Sequence, residues 1–233
     1  MTEVNHNRLS NLPGIVRIII GILVFGSVWG FLEATLGGFL HMIVFPNKGA
    51  IMSGIGVALM ASALAVYRRP VMLPGIGIVA ASFKLLDVWL FSLPAGSIHI
   101  INPAMAIIFE SLAFGLVAAF IMNRMARNVF VGIGAGALVG LTSAIAWVYF
   151  AIYVMDAPSY ARVVFTAGEY ISNQGVLQAV FSAIFLPLGY LAGERLLRRT
   201  PAVLTRRPVY YAASAFTVLF CWGIGALAIA AEL

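Results

Sequence analysis

"GSVWGFLEATLGGFLH", residues 26–41, decides the fold. It lies in an apolar run that starts near Gly14 or Ile18 and continues towards Phe45, long enough to cross a bilayer at about 20 residues per crossing. Glu33 and His41 stand inside that run. A charge in the hydrocarbon core is costly, and ionisable residues in spans face a bundle interior or a wet cavity. The stretch therefore demands further spans to shield Glu33, and something for Glu33 to face.

Composition supplies the further spans. Of 233 residues, 62% are hydrophobic and 9% charged, and mean hydropathy is +1.03. Soluble domains carry about 25% charged residues, so this chain reads as an integral membrane protein. Six more apolar runs follow, at roughly 50–67, 71–93, 102–122, 129–154, 176–197 and 209–231. Pro46-Asn47, Arg69-Pro70, Pro94-Ala95-Gly96 and Pro201 punctuate the joins. The expected fold class is all-α: a polytopic bundle of about seven transmembrane helices in one membrane domain. Residues 1–13 form a polar tail without a signal-peptide layout, 14–197 a six-helix core, and 209–231 an additional helix.

Loop charges set the expected orientation. One side collects Arg8, Arg17, Arg68, Arg69, Arg124 and Arg127, then the basic segment from Arg195 to Arg207; the other holds Lys48 and Arg162. The positive-inside bias puts the N-terminus in the cytoplasm and the C-terminus outside, in a multi-pass cell-membrane protein. The net charge of +6 is thus an orientation signal, and nucleic acid is not an expected partner. The outer connection at 156–175 is mildly amphipathic and reads as a loop, with a lid or interfacial helix as the alternative.

Helical rise then sets depth. With entry near Val71, Lys84 lies about 20 Å into a core of about 30 Å, and Asp87 is a turn further. Entering from the opposite side near Pro103, Glu110 lies about 10 Å below the outer surface. Glu33 reaches the same outer half, so four ionisable groups from three helices arrive at similar depth. Lys84 and Asp87 are three apart and can pair on one face. That leaves Glu33 and Glu110 as protonated acids or as a site for a positive ligand. The expected substrate-binding residues are Glu33, Lys84, Asp87 and Glu110, with Trp29, His41 and Trp89 nearby. A packing network that locks helix register is the plainer alternative, and a proton or ion relay a third.

Other signals are weaker. His41 and His99 are the candidate metal or haem ligands, without a diagnostic spacing. Cys221 stands alone, so no internal disulfide forms. Asn102-Pro103 reads as a cap on the fourth helix, and "SGIG" at 53–56 as closely approachable backbone. Gly26/Gly30, Gly132/Gly136/Gly140 and Gly189/Gly193 form small-residue ridges for close helix packing. No HExxH or GxSxG motif is present. The expectation is a non-enzyme with no resident cofactor.

The segments "WGFLEATLGGFLH…FPNKGAIMSGIG", "ASFKLLDVWL" and "NPAMAIIFESLAFG" together resemble the substrate-binding (S) components of energy-coupling factor transporters, over roughly residues 15–195. The resemblance implies a small bundle, usually of six spans, that captures a vitamin or metal ion from outside. It also implies a transmembrane coupling subunit and ATPases as partners, and no catalytic site in this chain. The competing reading is a structural or haem-binding redox subunit of a larger membrane complex.

Overall fold

In the computed structural model, which describes residues 14–155, 166–200 and 206–231, all regular structure among the described residues is helical. Seven stretches are long and apolar enough to cross a membrane: Gly14–Leu40, Lys48–Tyr67, Met72–Phe91, Ile100–Met125, Val129–Tyr153, Ala167–Arg199 and Arg207–Ala230. The chain is a multi-pass membrane protein. Its outward surface is apolar, as a lipid-facing surface must be: Leu116, Phe120, Leu188 and Leu219 are all exposed.

The first six spans close a ring in the order first, third, fourth, fifth, sixth, second, and back to the first. The second leans inward and also touches the third, fourth and fifth. The seventh lies outside the ring against the first. Trp222 Nε1 donates to Ser27 Oγ at 3.1 Å, and the Tyr67 and Tyr210 hydroxyls meet at 3.1 Å nearer the arginine-rich end. At that end Arg68 also donates to the Tyr190 hydroxyl. In lipid, where apolar burial does not draw helices together, such polar ties and close packing do the work.

The glycine ridges are spent inside the chain. Gly136 and Gly140 lie against the backbone of the sixth span at Ser182 and Gln178, and Gly189 and Gly193 against the backbone of the second at Ala58 and Ser62. A Cβ at any of these four would intrude on main chain. Ser62 Oγ uses the approach, meeting the Ala58 carbonyl at 2.9 Å and the Gly189 carbonyl at 2.7 Å. Gly26 and Gly30 receive Val79 and Phe83 of the third span.

Three spans depart from the regular helices expected of them, all towards one end of the bundle. The first does not run as α-helix to Phe45. It turns into a π-helix over Glu33–Gly37 and resumes as α-helix over Gly38–Met42. The third is not continuous over 71–93. Its helices cover Met72–Ser82 and Leu85–Phe91, joined by tightened turns in which the Phe83 and Lys84 N–H groups donate to Ala80 and Ala81. Phe83 is the wedge: it is buried between Gly30 and Gly225, with its ring 4.2 Å from that of Trp222.

The sixth span begins earlier than expected. Residues 167–175 are not loop: helix starts at Ala167, passes a π turn at Ile171–Gly175 and continues to Arg199. Thr166 and Glu169 close a capping box over its start, each satisfying a backbone N–H of the other. The rest of the 156–175 connection lies outside the described residues, except Thr166. The fourth span also starts early, at Ile98 after Ser97. Asn102-Pro103 therefore sits inside the helix and does not cap it.

Candidate functional site

The three irregular spans meet around a cavity of about 1050 Å³. Six spans contribute side chains in a consistent order of depth, and the seventh adds Ile229 near the mouth. The deep zone holds Glu33, Ser53, Lys84, Glu110, Ser143 and Gln178. Chain direction places Lys48, Phe91, Ile98, Asn102 and Tyr170 nearer the mouth, since each stands at the same end of its span. On the fourth span Asn102, Ala106 and Glu110 share one helical face, a stripe about 12 Å long from mouth to floor at 1.5 Å per residue.

Glu110 is the floor. It is 6% exposed and rests against the second span where Gly56 offers no side chain: a Cβ there would lie 2.9 Å from Glu110 Oε1. The opening lets the carboxylate reach the Val57 backbone N–H, with the Ser53 hydroxyl turned towards it. Oε1 nonetheless has no hydrogen-bond partner, and the Ser53 contact does not close to full hydrogen-bond geometry. The other charge felt by Glu110 is Glu33, of the same sign. Trp29 packs on Gly56 beside it, fully buried, with Nε1 turned towards Glu33 but not closing a hydrogen bond.

Lys84 sits within electrostatic reach of both Glu33 and Asp87. The break in the third span brings it there. At one turn beyond Ser82, the tightened backbone lets the same short segment send Phe83 into the wall and Lys84 into the cavity. The π turn does similar work on the first span, widening the helix where Glu33, Ala34 and Gly37 line the space. Single π turns within α-helices are frequent at functional sites. On the opposite side, Trp147 of the fifth span and Tyr170 of the sixth pack ring to ring with centroids 4.8 Å apart and line the cavity together.

The structure therefore brings Glu33, Lys84, Asp87 and Glu110 to one cavity. Trp29 is not in its lining; it lies beneath the floor as core. Trp89 is placed elsewhere as well: at 85% exposure it points away from the bundle, because the break at Lys84 turns the Asp87 face inward and leaves Trp89 on the lipid side. The backbones of His41 and His99 lie in helix near the mouth, while their side chains are outside the described residues. Among the described residues, no three His, Cys, Asp or Glu side chains converge as a metal site would require. Residues that depth reasoning missed are Ser143, Trp147, Tyr170 and Gln178. Gln178 carried a signal, being a polar side chain in an apolar run. Trp147 carried none, since a tryptophan in a span reads equally as core.

No protein-family model matches the chain, and neither the curated proteins nor the solved structures include a match.

Proposed function

We propose that this chain is a membrane-embedded solute-binding component for uptake, not an enzyme, capturing a small positively charged solute in the cavity. The mouth would face outward, opposite the arginine-rich loops. A transmembrane coupling subunit and ATPases are the partners that the resemblance to energy-coupling factor S components suggests. The observation that carries this reading is Glu110: a nearly fully buried carboxylate at the floor of a large cavity, with one oxygen unpartnered. A register lock would account for Lys84 between Glu33 and Asp87. It would not account for Glu110, because buried charges kept for structure are paired.

The test is binding to purified protein. A panel of cationic, neutral and anionic small solutes is screened by thermal shift, then hits are titrated on Glu33→Gln and Glu110→Gln. At least one cationic solute should bind, with affinity reduced about tenfold or more in Glu110→Gln, the scale of one lost charge-assisted contact. Unchanged affinity in both variants removes the site.

A further inference from the structure

Resting on that solute-binding reading, we propose that the solute is an organic ammonium with a flat apolar body, bound head-first: its ammonium against Glu110 Oε1 and Glu33, its body against the Trp147–Tyr170 wall. Three features select this class. The first is the unpartnered oxygen on a carboxylate 6% exposed, aimed into the cavity floor; an N–H donor of positive charge satisfies it, whereas an anion or a bare acceptor would not.

The second is size. About 1050 Å³ sits at the top of the range for small-molecule sites, roughly 300–1,000 Å³. A bare metal ion leaves most of that space unfilled, and the described residues offer it no three-ligand cluster. The third is zoning. The polar atoms of Ser53, Gln178 and the carboxylates lie deep, while Phe91, Ile98 and Ile229 line the mouth. The tilted Trp147–Tyr170 pair stands on the wall between. A ring face or flat unsaturated body gains stacking there. Its charged end then reaches Glu110 without leaving a buried charge unpaired.

Cysteine accessibility tests both layers separately. Ser53→Cys reports the floor. Gly49→Cys reports the mouth, where a Cβ meets open space. Both are built with Cys221→Ala to remove the native thiol. Each is labelled with 2-aminoethyl or 2-sulfonatoethyl methanethiosulfonate, matched reagents of opposite charge. Protection is measured with phenethylamine, its neutral analogue phenethyl alcohol, and 2-cyclohexylethylamine.

The cationic reagent should modify Ser53→Cys about tenfold or more faster than the anionic one, relative to a free thiol, and Glu110→Gln should cut that preference several-fold. Phenethylamine should protect, cyclohexylethylamine more weakly, and phenethyl alcohol not at all. Labelling without cationic preference, or equal protection by amine and alcohol, overturns the ammonium and leaves the cavity reading standing. Equal protection by the two amines, or protection by neither, overturns the flat body. Folded protein in which neither Ser53→Cys nor Gly49→Cys can be labelled overturns the solute-binding reading itself.

Discussion

Glu110 and Glu33 are two carboxylates of the same kind, in spans of similar hydropathy, yet their neighbourhoods differ. Glu33 has Lys84 within reach; Glu110 has a backbone N–H, a hydroxyl and a like charge. Gly56 is what admits Glu110 to its position, so Gly56→Ala should push both Glu110 and Trp29 off the second span. Thermal unfolding in detergent should show a loss of about 1–3 kcal/mol for this overpacking, together with weakened solute binding. The two tryptophans of the opening reasoning separate cleanly. Trp29→Ala should destabilise by about 3–5 kcal/mol, as large core truncations do, whereas Trp89→Ala should stay within about 0.5 kcal/mol and leave binding intact. A large binding defect in Trp89→Ala would contradict its lipid-facing placement. Depth alone could not distinguish these residues, because depth fixes height along the bundle and not rotation about the helix.

At the scale of the element, the helices obey their apolar runs except where the cavity is built. A π turn inserts one residue, which barely disturbs apolar periodicity, so nothing in "LEATLGG" announces it. The break at Phe83–Lys84 is likewise tertiary in origin: Phe83 needs the slot between Gly30 and Gly225, and those glycines lie on other spans. The start of the sixth span was legible in principle, since "TAGE" at 166–169 is a capping-box pattern; the surrounding polar composition outweighed it. Thr166→Ala should cost about 1 kcal/mol, read as faster hydrogen exchange over 167–171. The glycine ridges give a sharper test. Gly136→Ala, which meets backbone, should lower the midpoint of thermal unfolding clearly, while Gly134→Ala, where a Cβ meets nothing within 4 Å, should not. Equal effects would mean that the fifth and sixth spans are not in this register.

For the whole molecule, the ring of six spans leaves the cavity open at one end and closes the other with tyrosines and arginines. The seventh span completes the wall of the bundle from outside the ring and reaches the mouth through Ile229. Its helical start at Arg207 follows the densest basic segment, so the positive-inside rule predicts the opposite end of the span on the far side of the membrane. A C-terminal alkaline phosphatase fusion should therefore be active and a C-terminal green fluorescent protein fusion dark, with the reverse pattern for N-terminal fusions. The reverse result would turn the cavity mouth towards the cytoplasm and remove uptake from outside as its role.

By itself, the sequence determined that this is a membrane protein, that seven spans cross, and that Glu33, Lys84, Asp87 and Glu110 share a depth. Those properties follow from hydrophobicity and from the 1.5 Å rise per residue, both of which are local. Only the tertiary structure decided that the four residues face one cavity, that Trp29 lies under it and Trp89 outside it, and that Trp147 and Tyr170 form its far wall. Those outcomes depend on helix rotation, and rotation is set by which ridge meets which groove. In this chain glycines opposite Phe83, Trp29 and the neighbouring backbones settle it, through contacts between residues far apart in sequence.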